Sequence, residues 1–353
     1  MNKILIFNLG STSFKFGLFD FENLTEINRE EYKINQTQNI QEEVDRLFRN
    51  VLREVGDITE IKAIGHRVVH GGDKYFEPVE ITPEELQNIS ALNNLAPLHN
   101  PFNLAGINSA QKYLPGVPSF AVFDTAFFKD LPDYAKIYPI PYEYYEKNNI
   151  HKFGFHGISH KFVAMEACKK LKLDFQNSKL VTVHLGGGSS VTAMENGKPI
   201  DTSMGYTPLE GLMMQTRSGD IDPQIILELL NLTDMPFDQQ IEKVKNILNK
   251  ESGIKGITGY GNFLDILENV KAKDERAMLA FEMFTHRITK YIGAYLAALG
   301  SADAIVFTGR IGAGDPLTRK KITDKKDIFK NIKILTIEPN EELAIAQEIK
   351  ELI

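Results

Sequence analysis

The sequence predicts a mixed α/β protein of two domains, and three observations carry that reading. A chain of 353 residues exceeds the roughly 100 to 200 residues that one domain usually holds. Short apolar runs of strand length alternate with stretches whose apolar residues recur at helical spacing. The run "ILIFNLGSTSFKFGLFD" near the amino end is echoed later by "LVTVHLGGGSSVTAMENG": an apolar strand, a polar residue, Leu-Gly, a glycine- and serine-rich turn and a second strand. Any two tight hairpins look alike to this extent, so the echo alone weighs equally for duplication and for coincidence.

Taken in order, Lys3 to Asn8 and Phe14 to Asp20 are short apolar runs bracketing "GSTS", a hairpin with a hydroxyl-rich turn. From Ile40, Val44, Leu47, Phe48, Val51, Leu52 and Val55 mark an amphipathic helix, followed by the strand-like "IKAIGHRVV" and "PSFAVFD". Beyond Ile150 the pattern restarts with a helix from His160, strands "KLVTVHLG" and "SSVTAM", and a turn at Asn196-Gly197. The last third holds a helix around Ala277 to Leu299, the buried strand "DAIVFTG", the loop "RIGAGD", the strand "IKILTI" and a final helix from Glu341. The basic run from Arg319, "RKKITDKKDIFKN", reads as the most flexible stretch and as solvated surface.

Composition excludes several function classes. With 42% hydrophobic and 25% charged residues the chain is neither disordered nor fibrous. Forty basic against forty-seven acidic side chains give a net charge of −7 with no dense basic stripe, so nucleic-acid binding is not expected. The single cysteine, Cys168, makes no internal disulfide and suits a reducing cytosol. No span of about 20 apolar residues and no signal-peptide core occur, so a soluble, cytoplasmic protein without membrane partners is expected.

Several residues are chemically suggestive. "GSTSFK" lacks the spacing of a Walker loop and joins two strands, which leaves Asn8, Ser11, Ser13 and Lys15 as donors able to meet phosphate oxygens. Arg67 in "GHRVVHGG" and Arg217 in "GLMMQTRSGDIDP" sit among glycine and apolar residues, and planar guanidinium groups suit carboxylate and phosphoryl oxygens. For a lone arginine a structural ion pair is the commoner explanation. His156 and His160 have the i, i+4 spacing of a helical zinc pair, but no glutamate follows the first and glycine at 157 argues against a helix there. Asp124 follows a buried apolar strand, where a carboxylate needs a partner or a cleft, and magnesium is its natural companion if phosphates are present. Glu341 and Glu342 have the ordinary explanation that acids favour helix starts.

Together the segments "NLGSTSFK", "GHRVVHGG", "LAPLHNP", "AVFDTAF", "FGFHGISH", "HLGGGSS", "DTSMGYTPLEGLMMQTRSGDIDP", "SGIKGITG" and "PNEELAIA" resemble, in order and over nearly the whole chain, the acetate kinase family. The resemblance implies two duplicated ribonuclease-H-like, actin-type ATPase domains with a cleft between them, residues 1–128 plus 343–353 forming one and 129–342 the other. It implies Asn8, Ser11, Ser13 and Lys15 on the first phosphate loop; His184, Gly186, Gly187 and Gly188 on the second; and Gly309, Arg310 and Gly312 on the nucleotide side. Arg67 and Arg217 match the arginines on the acyl carboxylate and the transferring phosphoryl group, His156 a transition-state histidine, His99 a supporting one, and Asp124 the carboxylate near metal and substrate. Val69, Leu98, Phe155 and Pro208 match the pocket around the acyl methyl group. Asn8 and Glu341 match the metal-associated positions, the metal being magnesium or, in its place, manganese. The partners implied are ATP/ADP, acetate or another short acid, and a second copy in a homodimer.

The chain departs from the family on the nucleotide side. Gly187 replaces the asparagine of "HLGNG"; "FTGRIGAGD" replaces "FTAGIGEN", with Arg310 for a glycine and Ala313 for a glutamate; "GYGNFLD" replaces "SSDMRD"; the segment from Arg319 to Pro339 is shorter; and Phe128 replaces a histidine. Relatives using pyrophosphate are filled in at the position of Arg310. The expected activity is magnesium-dependent transfer between ATP and acetate. A propionate kinase, a pyrophosphate or other-donor variant, a zinc hydrolase and a catalytically silent actin-type nucleotide switch are the alternatives.

Overall fold

The protein is described from a computed structural model covering all residues except 1, 11, 36–38, 98, 233–234 and 325–326. It divides into two compact units, the first Met1–Lys129, Phe155–Phe162 and Asn340–Ile353, the second Asp130–Gly154 and Val163–Pro339.

The first unit is built on a six-stranded sheet of β1 (Lys3–Leu9), β2 (Ser13–Asp20), β3 (Glu26–Lys33), β4 (Ile61–Val68), β5 (Val79–Glu80) and β6 (Ser119–Phe123), in the order β3-β2-β1-β4-β6-β5. β1 and β2 form the expected antiparallel hairpin, while β4 lies parallel to β1 and β6 parallel to β4. Strands covered on both faces read as continuous apolar runs, and β6, "SFAVF", is buried at every position. β3, "EINREEYK", is charged and largely exposed, as an edge strand should be. On one face the helix Ile40–Val55 buries Val44, Leu47, Phe48 and Val51 beside Ala105 and Ala110 of the helix Asn100–Tyr113. Its first turn is capped by Asn39 and it ends at Gly56, whose φ of 75° suits glycine. Against the sheet lies the final helix, Glu341–Lys350. A side chain at Gly65 would collide with Ile349 and Ile345, and one at Gly17 would come within 2.9 Å of the Glu342 Cβ. The two glycines thus let this helix settle onto the sheet.

The second unit has a five-stranded sheet of β7 (Lys179–Leu185), β8 (Ser189–Glu195), β9 (Lys198–Thr202), β10 (Ala304–Thr308) and β11 (Lys333–Thr336), in the order β11-β10-β7-β8-β9. Its hairpin β7-β8 is antiparallel and β10 runs parallel to β7. Counted from each hairpin, the order is the one found in the first sheet without its β5 edge. This shared topology decides for duplication where the two hairpin sequences could not. Asn196 and Gly197 both take positive φ, 53° and 76°, in the tight β8-β9 turn. The helix Glu275–Leu299, capped by Asp274, buries Phe284, Ile288, Ile292 and Leu296 in the main core of this unit.

Two expectations need correction. Glycine at 157 does not exclude a helix: the helix Gly157–Leu171 begins there, three residues ahead of His160, and the position is glycine because any side chain would strike the Asp124 carbonyl. The basic run from Arg319 is not all solvated surface. It includes much of the helix Pro316–Thr323, which buries Ile322 in the core.

Candidate active site

In the first unit, three neighbouring parallel strands end together and each delivers a polar side chain at its carboxyl end, where α/β sheets bind ligands. β1 brings Asn8, β4 brings Arg67, and the residue after β6 is Asp124. Arg67 donates through Nε to both Asp124 oxygens, at 3.0 and 3.1 Å, and through Nη2 to the same carboxylate. Its Nη1 donates to the Asn8 Oδ1 at 3.0 Å. Asn8 Nδ2 in turn donates to Glu341 Oε2 at 2.8 Å and Glu342 Oε1 at 2.7 Å, tying in the start of the final helix.

This network is buried, with the Asp124 side chain only 2% exposed. Burial raises the Asp124 carboxyl above its ordinary range; Arg67 works against that and Glu341 adds to it. Burial also works against the charge of Arg67, yet Asp124, Glu341 and Glu342 together hold the guanidinium above its usual value. Glu342 is raised by burial and by Glu341, with Lys15 and Asn8 easing it. Three acids against Arg67 and Lys15 leave an excess of carboxylate oxygen, the donor chemistry of a hard divalent cation. Among the described residues no ready-made group of three or more His, Cys, Asp or Glu that could hold a metal ion exists.

His156 has a φ of 59°, uncommon for a residue with a side chain. It is held there by its neighbours: Gly157 N–H donates to the Asp124 carbonyl at 3.0 Å, and the His156 carbonyl accepts from His160 N–H at 2.9 Å. The His156 backbone N–H also reaches the Asp124 carboxylate. The two histidine rings lie 6.4 Å apart. Val69 and Phe155 are buried, Phe155 edge-on to His70 at 5.5 Å, and Phe128 packs edge-on to His160 at 6.3 Å. His99 is half-buried ahead of the helix Asn100–Tyr113. Ser13 and Lys15 lie on β2, Lys15 opposite Asn8. Ser11 and Leu98 fall outside the described residues.

The second unit holds the remaining predicted residues. His184 near the end of β7 and Thr308 at the end of β10 are register partners. The turn between β7 and β8 is closed by Gly186 N–H donating to the Gly188 carbonyl at 3.0 Å. A side chain at Gly187 would meet nothing nearer than the Gln215 Oε1, 4.0 Å away. Gly309 has a φ of 80° and any side chain there would strike the Leu185 carbonyl, so the start of the short helix Gly309–Gly314 requires glycine. Arg310 is exposed on that helix, and Gly312 accepts from Arg319 Nη1 at 2.8 Å. Arg217 Nη1 donates to the Pro208 carbonyl at 3.1 Å and lies 3.8 Å from Met214 Sδ. No carboxylate is paired with Arg217 among the described residues, and burial lowers it to about 10. A half-buried cation that meets neutral acceptors and no described carboxylate keeps its charge for an anionic ligand.

Sequence reasoning left Glu342 as an ordinary helix-start acid and passed over Asn100 and Asn103. Asn103 bridges the Val69 N–H, at 3.0 Å, and the Leu9 carbonyl, at 2.7 Å, while Asn100 holds the His70 backbone on both sides. The "HNPFN" run, which begins in "LAPLHNP" and continues past it, is the available signal: amides at a helix start, spaced to staple the ends of neighbouring strands.

The profile of the acetokinase family matches residues 21–347. The chain is 42% identical to an acetate kinase of Thermoanaerobacter pseudethanolicus over 400 aligned positions, covering 99% of both chains. Among solved structures it resembles a propionate kinase from Francisella tularensis, with a TM-score of 0.88, 37% identity and 99% of both chains covered. It also resembles the acetate kinase of Porphyromonas gingivalis, with a TM-score of 0.85 and 33% identity, covering 99% of this chain and 98% of that one.

Proposed function

The chain belongs to the acetokinase family, and we propose that it works as a magnesium-dependent acetate kinase of the cytoplasm, active as a homodimer. It is a phosphotransferase that takes ATP and acetate to ADP and acetyl phosphate. The observation that carries the mechanism is the network of Asn8, Arg67, Asp124 and Glu341 at the ends of three adjacent parallel strands.

The acetate carboxylate is already an anion, so the reaction needs no general base. One carboxylate oxygen attacks the terminal phosphorus in line while the bond to the bridging oxygen breaks, and ADP leaves with that electron pair. Negative charge spreads over the three equatorial oxygens of the group in flight, and catalysis consists of positioning and opposing charge. Arg217 offers a guanidinium unneutralised by any carboxylate among the described residues, and Arg67 offers one whose orientation Asp124 and Asn8 fix. His156, fixed at the head of its helix, presents a ring that hydrogen-bonds to the same charge. Val69 and Phe155, both buried in the first unit, would pack against the acyl methyl group. Glu341, and Asp124 beside Arg67, would hold the metal, with Asn8 orienting Glu341 through its amide nitrogen. When bound, the ion supplies charge neutralisation along the phosphates.

The decisive assay traps acetyl phosphate as its hydroxamate, with acetate or propionate as acceptor and ATP or pyrophosphate as donor. Formation with ATP and acetate, dependent on added magnesium, is expected. Failure with ATP alongside success with pyrophosphate would move the assignment to the other-donor variant that the nucleotide-side departures keep in view.

Support for the dimer comes from the helix Gln224–Asn231, which buries none of its residues and exposes Ile225, Ile226 and Leu227. Leu232, at 82% exposed, and Phe237 extend this apolar run. Sedimentation should give twice the mass of 39.8 kDa, and Leu232→Glu should give the single mass. No helix among the described residues is long and apolar enough to cross a membrane. The lone buried thiol, Cys168, is at ease in a reducing compartment.

A further inference from the structure

A carboxylate that aims a cation also offsets part of its charge, as Asp124 does for Arg67. Arg217 is aimed instead by a peptide carbonyl, that of Pro208. Its position is then only as definite as the loop bearing Pro208, and that loop is fastened on both sides. Two residues before Pro208, the Tyr206 N–H donates to the Tyr138 Oη at 2.7 Å. Two residues after it, Glu210 accepts from the Tyr138 hydroxyl with one carboxylate oxygen and from Lys152 Nζ, at 2.8 Å, with the other. Lys152 Nζ also donates to the Thr202 carbonyl at 3.0 Å, and the Gly205 carbonyl takes the Phe153 N–H at 3.1 Å.

We propose that Tyr138, Glu210 and Lys152 are positioning residues that form a clamp setting, through the Pro208 carbonyl, where the Arg217 guanidinium stands. The clamp is self-neutralising: Lys152 balances Glu210, so the acid nearest the loop fastens it without drawing on the charge of Arg217. It is also close-fitting, since a side chain at Gly205 would collide with both the Glu210 carboxylate and the Tyr138 hydroxyl. Burial and Glu210 hold the Tyr138 phenol above its ordinary range, so it stays a donor to Glu210 while accepting from Tyr206. None of the three clamp side chains is a catalytic residue.

The inference rests on the role proposed above for Arg217, and the test separates the two. Tyr138→Phe removes the hydroxyl shared by Glu210 and Tyr206 while keeping the ring. The expected result is a kcat for acetyl phosphate formation lowered roughly tenfold to a hundredfold, the scale of a small misplacement of a catalytic group, with KM for ATP within about twofold. In an Arg217→Ala background the same substitution should cost nothing further, because what the clamp positions is gone. An unchanged kcat in folded Tyr138→Phe, or an equal loss in both backgrounds, would overturn the clamp. If Tyr138→Phe does not fold, Glu210→Gln answers with the same pair of outcomes. A readout independent of turnover is the side-chain Nε–H resonance of Arg217 in isotope-labelled protein, assigned by its loss in Arg217→Ala. It should shift in Tyr138→Phe while that of Arg67 stays, and an unmoved Arg217 resonance refutes the clamp. A wild-type protein that makes no acetyl phosphate refutes the function, with the resonance still reporting on the clamp.

Discussion

Arg67 and Arg217 carry the same formal charge and are both expected to be indispensable for turnover, yet their environments predict opposite effects on stability. Arg67→Ala leaves Asp124, 2% exposed, as a buried carboxylate stripped of its guanidinium partner, and frees an acceptor on Asn8. Breaking a buried pair from one side costs about 3–5 kcal/mol. At ~2–4 °C per kcal/mol for a body of the first unit's size, Tm should fall by roughly 6–20 °C. Arg217→Ala removes a half-buried cation that burial disfavours and no described carboxylate pairs with, so its Tm should stay level or rise. Both should lose at least about a hundredfold in turnover, the scale of a donor lost from a transition state. The pH dependence is a second signature. Burial already raises the Asp124 carboxyl, and without Arg67 it must climb further. A group with a raised folded pKa contributes stability at low pH that is lost as pH rises through that value, so the deficit of Arg67→Ala should be smaller at pH 5 than at pH 8. Thermal melts of both variants at the two pH values, alongside the hydroxamate assay, measure all of this. An Arg67→Ala protein melting with the wild type at both pH values, or an Arg217→Ala protein losing as much as Arg67→Ala, would refute the reasoning.

Val69, two residues beyond Arg67 and buried, should set acyl chain length: Val69→Ala should raise propionate or butyrate over acetate by roughly tenfold in kcat/KM, and an unchanged ratio removes it from the acyl site. Arg310, exposed on the helix that starts at Gly309, should crowd the nucleotide, so Arg310→Gly should lower KM for ATP and leave that for acetate alone. A weaker ATP instead would mean that Arg310 contacts phosphates, and unaltered kinetics with every donor that it points away. His66, on β4 and stacked on Phe7 at 5.7 Å, has a buried Nε2 with no hydrogen-bond partner among the described residues, and burial lowers its pKa to about 3. The unfolded chain takes up that proton near pH 6.5 and the folded one does not, so stability present above pH 6.5 should be lost on acidification. The loss at this site is about 2 kcal/mol between pH 7 and 5, read from denaturant titrations, and His66→Phe should abolish that slope.

Local pattern makes the strands, the hairpins and the main helices legible in the sequence, because continuous apolar runs and helical spacing are properties of neighbouring residues. It also brings out Arg67, Arg217, Asp124 and His156 as chemically unusual in place. Which acid meets which base is not legible there. Arg67 and Asp124 stand 57 residues apart, and Asn8 and Glu341 stand 333 apart. They meet because β1, β4 and β6 lie side by side and two glycines let the final helix settle beside the end of β1. Strand order and register decide this, and a run of residues does not encode them locally. The same reason explains why Glu342 passes for an ordinary helix-start acid, and why two similar arginines become different objects: one locked in a buried ion pair, the other aimed by a carbonyl with its charge kept free of any described carboxylate.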